Sequence, residues 1–137
     1  MRIVLDTNVI VSGLLFPSGS PGQIVRMIAS ADLQLCYDIR IFSEYREVLL
    51  RPKFHFKVNE VDDLLRQIEY TGIPVASIPL SEDLPDINDK PFLEAAVNGK
   101  ARCLVTGNLS HYPAKKCHGV AVLSPVRFLE LFAREKR

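Results

Sequence analysis

Five positions have residue types that could hold a cation: Asp6, Glu44, Asp86, Asp89 and Asn108. Asp6 stops the run Arg2-Ile3-Val4-Leu5. In open α/β sheets the ligand crevice lies outside the carboxyl ends of the strands, so an aspartate closing a strand hangs at its lip. A carboxylate there is a natural ligand for a hard divalent cation, Mg2+ or Mn2+. Its other use is to cap the next turn. On the helix expected over 40–50, Ile41, Tyr45, Val48 and Leu49 define the buried stripe. At about 100° per residue, Glu44 lies roughly 85° from the stripe's centre and Glu47 roughly 145°. Glu44 therefore borders the buried face, either pointing into a crevice or resting as a boundary residue beside Arg40; Glu47 faces solvent. Asp89 starts the helix that carries Phe92, Leu93, Ala95 and Ala96. A carboxylate there is favoured by the helix dipole, and the same oxygens could instead turn toward Asp6. Asp86 can do either job or order the loop. Asn108 is neutral where a fourth carboxylate would complete a metal cage.

Crowded carboxylates repel one another and raise each other's pKa. A divalent cation relieves that repulsion and activates a water that can attack a phosphodiester. A basic groove would hold the nucleic-acid backbone. Positive residues gather at Arg51, Lys53, His55 and Lys57, at Lys115, Lys116 and His118, and over 134–137; an ordinary solvated surface is the other account of each cluster. The net charge of +1 gives no strong basic field, which leaves a local patch as the route to nucleic acid.

The elements that must position these residues follow from the apolar pattern. A chain of 137 residues, 47% hydrophobic and 24% charged, can bury the core of one domain spanning 1–137. Ile3, Val4 and Leu5 have the pattern of a strand buried on both faces. A helix is expected over 9–16. Another opens with Ser20 as N-cap and Pro21 at its first position, turning Ile24, Val25, Ile28 and Ala29 inward. A second strand is expected over 33–37, and the 40–50 helix ends before Pro52. Asn59 and Asp62 resemble a capping pair opening a helix through Val61, Leu64, Leu65 and Ile68, closed by Gly72. Residues 73–80 are strand-like, but Pro74 and Pro79 keep that strand short and near an edge. The acidic loop 82–89, a helix over 91–98, strands over 101–106 and 119–123, and a final helix capped by Ser124-Pro125 and using Val126, Phe128, Leu129 and Phe132 complete the chain. Strands alternating with helices imply a parallel sheet covered on both faces, with all strand carboxyl ends along one edge.

Three cysteines without a Cys-x-x-Cys pair give neither a disulfide framework nor a zinc site. Cys36 and Cys103 are expected in the core and Cys117 at the surface. No signal peptide opens the chain and no stretch reaches membrane-spanning length, so a cytoplasmic location is expected. His55, His111 and His118 lie in polar loops without partners that sequence can identify. Phosphoryl transfer with Asp6 as nucleophile would call for a second aspartate two residues on, where Asn8 stands, or an acidic pair with a lysine at a strand end.

At these residues the chain resembles the PIN domain, the metal-dependent ribonuclease fold of VapC-type toxins. Leu5-Asp6-Thr7-Asn8 matches the family's opening motif. Ser43-Glu44-Tyr45-Arg46-Glu47-Val48-Leu49 with Arg51-Pro52-Lys53-Phe54 resembles a signature of the branch described as toxin–antitoxin components. Asp86-Ile87-Asn88-Asp89-Lys90-Pro91-Phe92-Leu93-Glu94-Ala95-Ala96 matches its acid-rich turn into a helix, and Val105-Thr106-Gly107-Asn108 stands where the family ends a strand in Thr-Gly-Asp. Four matches in order make a specific signal. The resemblance implies a three-layer α/β/α sandwich around a parallel sheet. It implies metal binding by Asp6, Glu44 and Asp89, with Thr106 at the site's floor and Asn8 bracing Asp6. It also implies homodimers, an RNA substrate and, for the toxins, a small antitoxin partner. Asn108 departs from the pattern: its amide oxygen can ligate Mg2+ but adds no charge, which weakens metal binding and favours one ion over two. Two functions follow as expectations: a Mg2+- or Mn2+-dependent endoribonuclease, or a catalytically weak RNA- or partner-binding module on the same fold.

Overall fold

Ile3, Val4 and Leu5 have no solvent exposure, because the strand they form is covered on both faces. This strand, β1 (Arg2–Leu5), is the centre of the sheet. The computed structural model describes residues 1–81 and 83–136; Glu82, the first acid of the 82–89 loop, and Arg137, the last basic residue of the tail, lie outside them. Strand β2 (Gln34–Tyr37) pairs with β1 on one side, with Ile3 opposite Leu35. On the other side β4 (Cys103–Val105) places Val105 opposite Leu5. The two-residue strands β3 (Ile73–Pro74) and β5 (Val122–Leu123) form the edges. Every pairing is parallel and the order is β3-β2-β1-β4-β5. Pro74 lacks a ladder donor, which suits it to the short edge strand expected there.

Helices α1 (Thr7–Leu15) and α2 (Ser20–Ala29) join β1 to β2, and α3 (Ile39–Leu49) and α4 (Val58–Thr71) join β2 to β3. Helix α5 (Lys90–Asn98) joins β3 to β4, and α6 (Pro125–Glu135) follows β5. Helix α2 packs against α1 and α4, α5 lies across β1, β2 and β4, and the right-handed crossover rule puts α5 on the face opposite the β1–β2 connection. The architecture is the three-layer α/β/α sandwich expected. The chain leaves β1 in one direction to β2 and β3, then returns to β4 on its other side. That reversal opens a crevice beyond the carboxyl ends of β1 and β4.

Local details depart from the sequence pattern. Gly19, not Ser20, is the N-cap of α2, and Met27 is buried while Ala29 is exposed. Helix α4 opens from Lys57 without a side-chain cap. Asn59 thus falls inside that helix, and Asp62 pairs with Arg46 of α3 at 2.6 Å instead of capping. In α6, Ser124 does cap, but Val126 is exposed and Phe128 carries the burial. Cys36 and Cys103 are buried as expected. Cys117 is buried too, its thiol 3.2 Å from the Pro113 carbonyl, because the loop after β4 folds back over it.

Candidate metal centre

The crevice is built by extending β1 and β4 one residue each. The Asp6 amide donates to the Val105 carbonyl at 2.9 Å, and the Thr106 amide donates to Leu123 at 3.0 Å. Asp6 and Thr106 therefore stand side by side, both buried. The Thr106 hydroxyl donates to Asp6 Oδ2 at 2.8 Å, and the hydroxyl of buried Tyr112 reaches the same oxygen at 3.4 Å. Asp6 is the N-cap residue of α1. Burial pushes its pKa up; the Thr106 and Tyr112 hydroxyls and the amides of Asn8 and Thr7 offset this only in part.

Glu44 is set by the rotation of α3. Ile41, Tyr45 and Leu49 are fully buried, and the Tyr45 hydroxyl donates to the Leu5 carbonyl at the end of β1. This bond locks the helix against the strand that carries Asp6. Glu44 is half-buried and accepts a hydrogen bond from the Thr7 hydroxyl, not from Arg40. Burial raises its pKa, and the charge of Asp6 adds to the rise against the Thr7 bond. Glu47 is exposed and pairs with Arg51 at 3.0 Å.

Asp89 ends a short 3-10 turn, Ile87–Asp89, and is the N-cap residue of α5, without a capping hydrogen bond. It is buried, and its Oδ2 lies 2.9 Å from His111 Nδ1. Burial and then the charge of Asp6 raise its pKa, with His111 working in the opposite direction. Burial and the charges of Asp6 and Asp89 push the pKa of Tyr112 up. Asp86 accepts the Asn88 amide through Oδ1 at 2.9 Å and caps that 3-10 turn.

Asp6 thus sits at the electrostatic centre, felt by both Glu44 and Asp89. The group whose possible ligand atoms all lie within 4.8 Å of one another, among the described residues, is Asp86, Asp89 and His111; Asp6 and Glu44 stand outside it. Asn8 faces Asp6 with its backbone amide, while its side-chain oxygen accepts the Gly107 amide at 3.4 Å and ties the start of α1 to the loop after β4. Asn108 is exposed, and it is its backbone amide that donates to Thr106 Oγ1 at 3.0 Å. His111 was not legible in the sequence: its partner is 22 residues away, and only its place after the carboxyl end of β4 hinted at the crevice.

Among the described residues no lysine or arginine forms an ion pair with Asp6, Glu44 or Asp89. Buried carboxylates with raised pKa and no cation of their own, beside one imidazole, form a donor set that fits a hard or borderline divalent ion.

Comparison with known families is consistent with that chemistry. The family model described as PIN domain matches residues 2–110. The matched stretch contains Asp6, Glu44, Asp86, Asp89 and Asn108 and ends one residue before His111. No curated protein matches the chain.

Proposed function

Because the chain belongs to the PIN domain family, whose fold is that of metal-dependent nucleases, we propose that it is a Mg2+- or Mn2+-dependent endoribonuclease, the toxin of a toxin–antitoxin pair. One observation supports this proposal: at the switch point Glu44 and Asp89 each feel the charge of Asp6, all three carboxylates have raised pKa values, and among the described residues no lysine or arginine forms an ion pair with them. When bound, a divalent cation supplies Lewis-acid activation of water and neutralises charge on the phosphate. Asp6, Glu44 and Asp89 hold it. Thr106 and Tyr112 fix the Asp6 carboxylate, and Thr7 fixes that of Glu44.

RNA as the substrate is supported by the segment leaving α3. Arg51, Lys53 and Lys57 are exposed there, Phe54 and Phe56 stack at 5.6 Å, and Lys53 lies 5.1 Å from the Phe54 ring. Positive charge interleaved with aromatic rings is the chemistry that holds a single strand. Arg51 is close enough for its charge to act on Glu44. Residues 1–137 act as one domain in this proposal, since β5 pairs with β4 and Phe128 of α6 joins the common core. The exposed apolar residues Leu15 and Phe16 at the end of α1 offer surface to a homodimer partner or an antitoxin. No described helix is long and apolar enough to cross a membrane, which accords with the proposed cytoplasmic site of action.

The neutral, exposed Asn108 favours a second function, a weak or inactive RNA- or partner-binding module. Incubation of the chain with a mixed RNA pool in Mn2+, in EDTA, and as Asp6→Asn separates the two. Cleavage that requires both the metal and Asp6 is the expected result. Metal binding by a folded protein without cleavage transfers the function to the binding module.

A further inference from the structure

We infer that His111 is itself a ligand of the cation, completing with Asp89 and Asp86 the side of the site to which Asn108 brings no charge. The inference rests on the proposed metal site and gives it a mixed oxygen–nitrogen donor set. His111 Nδ1 and Asp89 Oδ2 are 2.9 Å apart. Two ligands at right angles around an ion, each bonded at about 2.1 Å, stand about 3.0 Å apart. The pair already has the edge length of a coordination sphere, so a cation can replace the shared proton without either side chain moving far.

Three further features agree. Asp86 uses Oδ1 on the Asn88 amide, which leaves its other oxygen for a cation, and ligand atoms of all three residues fit within 4.8 Å. The His111 side chain is 38% exposed, so a hydrated ion can reach it, whereas Asp89 is buried at its back. The backbone of His111 is held where it is: its amide donates to the Asn108 carbonyl at 3.0 Å, and its neighbour Tyr112 is buried with its hydroxyl on Asp6. Two anchors thereby hold the backbone from which the ring reaches Asp89.

The consequence is selectivity. Imidazole suits the later transition ions; Mg2+ and Mn2+ both favour oxygen, and Mn2+, as a transition ion, tolerates a nitrogen ligand better than Mg2+ does. The site therefore favours Mn2+ over Mg2+ more strongly than carboxylates alone would, and His111 is the source of that preference.

Pulsed electron paramagnetic resonance of the tag-free full chain loaded with Mn2+ tests this without reference to catalysis. The expected result is nitrogen-14 modulation from a directly bound imidazole, abolished in His111→Gln. That variant should also lose Mn2+ affinity by about tenfold, with a smaller loss for Mg2+. Saturable Mn2+ binding to the wild type without nitrogen modulation, or modulation that survives in His111→Gln, overturns the assignment of His111 while leaving the metal site standing. Failure of the wild type to bind Mn2+ at all overturns both. A wild-type spectrum without nitrogen modulation overturns the assignment however well the variant folds, and modulation in the wild type is assigned to His111 by its loss in a variant whose circular dichroism matches the wild type.

Discussion

Two aspartates at the same edge of the sheet show what the protein neutralises for itself and what it leaves open. Asp6 follows β1 and Asp38 follows the neighbouring strand β2; each is the N-cap residue of the next helix, and each is buried. Asp38 caps α3 by accepting the Ile41 amide at 3.0 Å and pairs with Arg40 at 2.6 Å. The same guanidinium holds Glu94 at 2.8 Å, and Glu94, itself buried, accepts the Leu80 amide. Burial works to raise the pKa of Asp38, but Arg40 and the Ile41 amide outweigh it and the pKa falls. Asp6 is met by hydroxyls and amides and, among the described residues, by no arginine, and burial wins. Among the described residues an arginine pairs with the acids of one cluster and none pairs with Asp6, Glu44 or Asp89. In the proposed function that second cluster takes its cation from solution.

Two substitutions break the comparison from opposite sides. The largest expected effect is that of Asp6→Asn, which removes metal-dependent cleavage while leaving the metal-free fold as stable as before or slightly more so, because one repelling charge is gone. Arg40→Met does the reverse. It strands Asp38 and Glu94 without their cation, and breaking a buried pair costs about 3–5 kcal/mol. Arg40 is half exposed, so water screens part of that and a loss of about 2 kcal/mol in urea unfolding is expected. Mn2+ affinity should hardly change in this variant; a large change would mean that the two clusters are one.

The pH dependence of stability sharpens the contrast. Asp6, Glu44 and Asp89 have raised pKa values in the folded chain, so between the ordinary carboxylate range and those values the native state binds more protons than the unfolded one. Their contribution is full below the ordinary range and is lost as pH rises through the raised values. Asp38 has the opposite sign: its contribution is present above the ordinary range and lost as pH falls through its lowered value. Thermal melts in EDTA should therefore show the Asp6 cluster costing stability toward neutral pH, and added Mn2+ should recover more stability at pH 7 than at pH 4. A metal-induced shift independent of pH would contradict ion binding by these carboxylates. The smallest effect is expected from Asn108→Asp, which should tighten Mn2+ binding a few-fold; unchanged affinity would mean that position 108 does not face the ion.

The sheet and the acids were legible because their signals are local. The apolar run 3–5 stopping at Asp6 marks a buried strand and its end, and the spacing of Ile41, Tyr45 and Leu49 fixes which way Glu44 and Glu47 point. What was not legible depends on tertiary contact. His111 meets Asp89 only because the loop after β4 folds back beside α5, and the same fold-back buries Cys117. Arg40 lies beside Glu44 on the helix wheel, yet it turns to Asp38 and to Glu94 on another helix. Sequence spacing shows which face a side chain occupies, but the choice between two acids within reach of one arginine is made by burial.

Calorimetric titration of Mn2+ into the metal-free full chain at neutral pH, with Asp6→Asn alongside, tests the central claim most directly. Saturable binding by the wild type that is lost or greatly weakened in Asp6→Asn is the predicted result. Equal binding by the two proteins, or none by either, would contradict a cluster built to take its cation from solution.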